Sequence, residues 1–209
     1  MDAQVKRPLL IIAAIAAIAL AAVLGFSLYN AGERAPQQSG VADVGGPFRL
    51  VDQQGKPRDE SLLKGKWNAV FFGFTYCPEA CPTTLLALGQ AQDRLGPKGK
   101  DLQAVFISVD PERDTPEVMR AYLDNSAFPK NAIGLTGAPA EIDKVTKAYH
   151  VFFQKDGEGR DYNVNHSTMT YLMNPEGQFA CVLPYGLTPE QLADRIGKAM
   201  RAGRGAQTC

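Results

Sequence analysis

The chain has 209 residues, with 22 Lys plus Arg against 22 Asp plus Glu, two histidines and four cysteines. Balanced charge provides no basic surface for nucleic acid, and four cysteines in a chain of this length do not make a disulfide scaffold. The clearest departure from an ordinary globular composition is an uncharged apolar stretch near the N-terminus.

That stretch, residues 9–28, follows Lys6 and Arg7. As a helix it rises about 30 Å, the thickness of bilayer hydrocarbon, and so predicts a transmembrane anchor. Positive charge before it and Glu33 after it predict residues 1–8 in the cytoplasm and the rest of the chain exported. A cleaved signal peptide is the competing reading, but nothing after Leu28 fits a small-x-small cleavage site well: Ala31 has Tyr29 two before it, and Ala19-Leu20-Ala21 lies inside the apolar stretch. Residues 29–46, rich in Gly, Pro, Gln and Ser from Ala31 on, read as a flexible tether. Residues 47–203 fit one domain with a sizeable core, and 204–209 form a polar tail.

Within the domain, Phe48 to Val51 and the segment near Lys56 predict a short hairpin around Asp52-Gln53-Gln54-Gly55. Trp67 to Thr75 is an apolar run rich in aromatic and β-branched residues, long enough for a strand buried on both faces. It leads into Cys77-Pro78-Glu79-Ala80-Cys81-Pro82. A residue before proline is pushed out of the helical region, so both thiols are expected in turn or extended backbone. Cys81 is expected as the N-cap of a helix from Pro82 to Leu95, beside the positive end of its dipole, where thiolate is favoured. Leu102 to Val109 predicts a second buried strand. Thr115, Pro116 and Glu117 mark the start of a helix running through Tyr122. A strand at Ala132 to Leu135, a helix from Pro139 to about Tyr149 and a strand at Val151 to Phe153 follow, then a polar loop from Lys155 to Arg160. Thr168 to Met173 and Gln178 to Leu183 predict a hairpin around Asn174-Pro175-Glu176-Gly177, and Thr188-Pro189-Glu190 opens the last helix. This alternation predicts an α/β sandwich with a mixed sheet.

Cys77 and Cys81 are close enough in sequence for a compact turn to bring their Cα atoms to about 6 Å, where they either close as a disulfide or open to grip a soft metal. His166 lies in the polar loop Tyr162 to Ser167, just before a buried strand, where a side chain can be presented to a ligand. Two thiolates and an imidazole suit Cu(I), Cu(II) or Zn(II) and suit Mg or Ca poorly. Structural zinc takes four protein ligands, whereas three leave a position free for a metal that must be handed on. His150, at a predicted helix end, needs no partner. Cys181 reads as a small core hydrophobe in a strand, and Cys209 as a tail residue without a role. Asp110 and Asp114 are candidates to accept hydrogen bonds near the site, beside their turn and cap duties.

Taken together, Gly73-Phe74-Thr75-Tyr76-Cys77-Pro78-Glu79-Ala80-Cys81-Pro82, Ser108-Val109-Asp110-Pro111-Glu112-Arg113-Asp114-Thr115-Pro116, and His166-Ser167 leading into Tyr171-Leu172 resemble the SCO (SenC) family of membrane-anchored copper chaperones. The resemblance implies a thioredoxin-like three-layer sandwich in which Cys77, Cys81 and His166 bind copper. It also implies an exported domain, here in a bacterial periplasm, that serves the dinuclear copper site of cytochrome c oxidase subunit II. A periplasmic thiol reductant or another copper chaperone would be a further partner. Two departures stand out: Glu79 where the family often has Asp, and Asn165 where it often has Asp before the histidine, which would weaken support of the imidazole. A thiol-disulfide oxidoreductase using Cys77 and Cys81 is the main alternative. A peroxiredoxin-like peroxidase is less well matched, because Thr75 lies two residues before Cys77 rather than three.

Overall fold

The computed structural model describes residues 20, 21, 25, 44–157, 159, 161–202 and 209. The chain divides into two compact units, Met1–Val41 and Ala42–Cys209. The expected anchor at 9–28, tether at 29–46 and tail at 204–209 fall outside the described residues, apart from Leu20, Ala21, Gly25, Val44 to Gly46 and Cys209. Among the described residues, no helix is long and apolar enough to cross a membrane.

The second unit runs β1 (Arg49–Asp52), β2 (Pro57–Asp59), β3 (Trp67–Gly73), α1 (Ala80–Arg94), β4 (Leu102–Ser108), α2 (Pro116–Leu123) and β5 (Ile133–Thr136). It continues with α3 (Pro139–Ala148), β6 (Phe153–Asp156), β7 (Asn163–His166), β8 (Thr170–Met173), β9 (Phe179–Leu183) and α4 (Pro189–Ala202). Seven strands form one sheet in the order β2-β1-β5-β4-β3-β8-β9, while β6 and β7 form a sheet of their own. The β3–β4 and β4–β5 pairs are parallel, and β8 runs antiparallel to β3, so the sheet is mixed as the alternation predicts. This is the α/β architecture expected of the domain.

Local chemistry explains the elements. Every residue of β3 and β4 is buried, which requires cover on both faces of the sheet and matches their predominantly apolar sequences. Phe71 and Phe106, paired in register, stack with ring centroids 4.9 Å apart. The β1–β2 turn is closed by Asp52, whose Oδ1 accepts hydrogen bonds from the backbone N–H of Gln54 and Lys56. Thr115 caps α2 by accepting from the Val118 N–H, with Pro116 at the first helical position.

Three local expectations are corrected. First, α1 begins at Ala80, with Glu79 as N-cap, so Cys81 lies within the first turn rather than capping it. Pro82 is tolerated there because the first N–H groups of a helix have no intrahelical partner to lose. Second, Lys155 and Asp156 belong to β6, and the polar segment before His166 is the strand β7, not a loop. The alternation that marks a half-buried strand is short and carried by polar residues, with only Tyr162 and Val164 turned inward. Third, Cys181 and Cys209 are joined by a disulfide, with Cα atoms 6.1 Å apart. The half-buried Cys181 side chain therefore ties the end of the chain to the edge strand β9.

The bond closes a separation of 28 residues. Under the chain-entropy account, Cys209→Ser should lower unfolding free energy by about 3.5 kcal/mol or less in urea titrations without reductant. With reductant present, variant and parent should unfold together. A parent whose stability ignores reductant would show that the bond contributes nothing.

Candidate metal centre

Three side chains, from the turn after β3, the first turn of α1 and the end of β7, meet at one end of β3. Beyond Gly73 the chain turns, with the Cys77 N–H donating to the Phe74 carbonyl at 3.1 Å, and re-enters regular structure at α1. Cys77 and Cys81 are both free and buried. Gly73 is required by close approach: a β-carbon there would collide with Cys81 Sγ and lie 3.6 Å from His166 Cε1. His166 arrives from the end of β7, which is half-buried at this point. Its Nε2 lies 4.0 Å from Cys81 Sγ, and its ring meets Phe74 edge to face at 5.7 Å. One donor atom from each of Cys77, Cys81 and His166 lies within 4.8 Å of the others.

Orientation of the imidazole follows from its other nitrogen. Nδ1 lies 2.9 Å from the Ser167 carbonyl oxygen. A carbonyl only accepts, so Nδ1 carries a proton and Nε2 is the nitrogen turned toward the sulfurs, where it donates to a thiolate when protonated and offers a lone pair to a metal when not. The support that an Asp at position 165 would give is thus supplied by backbone, while Asn165 itself is exposed.

Electrostatics separate the two thiols. A hydrogen bond from Cys81 is the largest influence holding Cys77 down at about 3, helped by His166 and the backbone N–H groups of Cys81 and Glu79 against the opposing effect of burial. Cys81 is driven far above an ordinary thiol by that same shared proton, by burial and by the Cys77 charge. At neutral pH the pair therefore holds one proton, on Cys81. Burial pulls His166 down, but hydrogen bonding to Cys77 and to the Ser167 carbonyl outweighs it and raises the imidazole above its ordinary value.

The cysteine turn is held from below by Asp114. Its carboxylate accepts from the Thr75 N–H at 3.1 Å, the Thr75 hydroxyl at 2.5 Å and the Ser108 hydroxyl at 2.6 Å. Burial raises the Asp114 carboxyl and these donors pull it back. Asp114 therefore joins the segments that follow β3 and β4, a part the sequence suggested for it only as a possibility. No local pattern singles out Arg113 and Tyr162 as site residues. Arg113 stacks over Phe74, Tyr76 and Tyr162 and pairs with Asp110, contacts created entirely by the fold. His150 takes no part: it closes α3 in left-handed backbone at φ 54°, with its N–H donating to the Lys147 carbonyl. Cys181 and Cys209 are spent on each other.

The SCO1/SenC family model matches residues 36–201. The chain belongs to the SCO1/SenC family. It is 42% identical over 168 residues to Protein SCO1 homolog 1, mitochondrial, of Arabidopsis thaliana, a match covering 79% of this chain and 50% of that protein. Protein SenC of Rhodobacter capsulatus is 40% identical over 160 residues, covering 76% of this chain and 72% of that protein. The crystal structure of Arabidopsis thaliana ScoI with copper bound superposes with a TM-score of 0.72 at 41% identity, covering 77% of this chain and 99% of that one. This SCO1/SenC chain thus spans about half the length of the Arabidopsis protein it matches.

Two outcomes follow from the geometry. Because Cys77 is held at about 3, its alkylation by iodoacetamide in the reduced protein should be nearly flat from pH 8 down to roughly pH 5, where an ordinary thiol slows about tenfold per pH unit. An ordinary thiol-like slope would refute the shared-proton arrangement. Gly73→Ala should destabilise the reduced protein by about 1–3 kcal/mol in thermal or urea unfolding, as an overpacked core does, and should disturb the sulfur–imidazole cluster.

Proposed function

We propose that this SCO1/SenC protein binds one copper ion as cargo through Cys77, Cys81 and His166, and releases it by ligand exchange to an acceptor site. The observation that carries the reading is the convergence of two sulfurs and an imidazole nitrogen within 4.8 Å. The donor set is soft to borderline and contains no carboxylate, which favours copper over magnesium or calcium. Three protein donors leave one position for an acceptor ligand, whereas a structural zinc site would be closed by a fourth. The copper-bound relative adds support from outside the chain.

On this reading the acceptor is the dinuclear copper site of cytochrome c oxidase subunit II, and a periplasmic thiol reductant or a second copper chaperone keeps the dithiol open or supplies the metal. Residues 9–28 anchor the chain in a bacterial inner membrane as a single span, residues 29–46 tether it, and residues 47–203 work in the periplasm. An apolar run of that length with basic residues before it supports the topology.

The asymmetry of the dithiol favours a second activity at the same residues. The Cys77 thiolate would attack one sulfur of a partner disulfide and expel the other as a thiolate. Cys81 would then attack the Cys77 sulfur of the mixed disulfide, freeing the partner as a dithiol and leaving a Cys77–Cys81 disulfide. A closed disulfide holds no metal, so oxidation would switch copper binding off.

Copper titration of the reduced full chain in detergent solution should saturate at one equivalent. With Cu(II) it should develop an intense sulfur-to-copper charge-transfer band that disappears in Cys77→Ser or Cys81→Ser. His166→Ala should weaken binding by more than the about 10- to 100-fold that loss of a supporting residue costs. Unchanged stoichiometry and affinity in these variants would remove the metal-carrier reading. Disulfide reduction without copper that survives His166→Ala would establish the redox activity independently.

A further inference from the structure

We propose that Arg113 is a positioning residue that locks the His166-bearing hairpin onto the cysteine turn and so sets how tightly copper is held. The inference rests on the copper reading of the site, and its starting observation is topological. The imidazole is carried by β6–β7, which shares no ladder with the seven-stranded sheet whose strand β3 leads into the cysteine turn. Hydrogen bonds within the hairpin, from the Ser167 N–H to the Phe152 carbonyl and from the Phe152 N–H to the Ser167 hydroxyl, do not reach the main body. Burial of Val164 presses the hairpin inward, but apolar burial has no direction and does not fix where the ring sits.

Arg113 supplies that direction. Its guanidinium carbon lies 3.7 Å from the centroid of Tyr162, 4.9 Å from that of Tyr76 and 5.7 Å from that of Phe74. Tyr162 immediately precedes β7, Tyr76 immediately precedes Cys77, and Phe74 is the ring that His166 meets edge to face. One planar cation therefore touches the approach to the imidazole, the approach to the first sulfur and the ring between them.

Polar contacts fix the plane. Arg113 Nη1 donates to the Tyr162 carbonyl at 3.0 Å, and Nε donates to Asp110 Oδ2 at 2.5 Å. The Tyr162 hydroxyl donates to the other oxygen of the same carboxylate at 2.6 Å. Asp110 is itself held at the end of β4, its N–H donating to the Ser108 hydroxyl at 3.0 Å. Lys155 Nζ of β6 also lies 3.7 Å from the Tyr162 centroid and pairs with Glu112 at 3.0 Å. Arg113 Nη2 is buried without a hydrogen-bond partner, so a complete set of polar contacts is not what the side chain is placed for. Its stacking faces are, and a lysine at this position would offer a point charge without a plane.

The test uses the reduced full chain in detergent solution carrying Arg113→Gln or Arg113→Lys. In the metal-free protein, Arg113→Gln should speed amide exchange in β6 and β7 while leaving β3 and β4 unchanged, and should abolish the nuclear Overhauser contact between the His166 and Phe74 rings. Copper affinity by chelator competition should fall about 10- to 100-fold, the range for residues that support a ligand, with Arg113→Lys falling less. In a His166→Ala background the same substitution should cost nothing further, because the leg it positions is gone. Parent-like exchange and affinity, or an equal further loss in that background, would overturn the proposal. Should Arg113→Gln loosen β3 and β4 as well, Tyr162→Leu, which removes the stack and keeps the Arg113–Asp110 pair, decides by the same readouts. A parent that binds no copper would defeat the copper reading alone, since exchange and ring contact still report on the lock.

Discussion

A thiolate and an imidazole held together in a largely water-excluded pocket is the interaction on which the rest of this domain depends. An isolated charge on Cys77 would be expensive to bury, and it is tolerated because a Cys81 S–H, backbone N–H groups at the start of α1 and the His166 ring all converge on it. The groups that stabilise the charge are the same groups that would ligate a soft cation. On the proposed reading, a copper ion enters a site already arranged for negative charge, and takes over the position of a proton that the two sulfurs share.

The two sides of this pocket are built differently. The sulfur side is rigid: β3 and β4 are wholly buried, Asp114 joins the segments beyond them, and Gly73 admits Cys81 Sγ against the backbone. The nitrogen side rests on a two-stranded sheet that meets the body through side chains rather than through a backbone ladder. On the proposed reading, a carrier benefits from that division. Sulfurs that do not move preserve the site, while an imidazole on a separate hairpin can be exchanged for an acceptor's ligand without disturbing the core.

Much of this was legible before any coordinates. The predominantly apolar runs of β3 and β4, the Thr115-Pro116 cap of α2 and the hairpin after position 168 all announce themselves through short-range rules of burial and capping. Cys77 and Cys81 were legible as a pair because four residues of spacing constrain them whatever the rest of the chain does. His166 was a weaker case, since a polar residue before a strand gives no address for its ring. The start of α1 departs from the expected one because a proline's effect on its predecessor competes with its freedom in a first helical turn, and the turn prevails. Taken singly, Cys181 is a core residue and Cys209 an idle tail, because nothing local links a strand residue to one beyond the last helix.

Sequence by itself determined most of the elements, the soft character of the ligand candidates and the family to which they point, because residue type, periodicity and spacing act over a few positions. Only the tertiary structure decided that His166 meets the two sulfurs, that the Ser167 carbonyl rather than residue 165 orients the ring, that Arg113 bridges three aromatic rings, and that Cys181 closes on Cys209. These are contacts between segments that share no local constraint. They come into being when burial of the sheet brings distant backbone together, and no pattern within either segment specifies its partner.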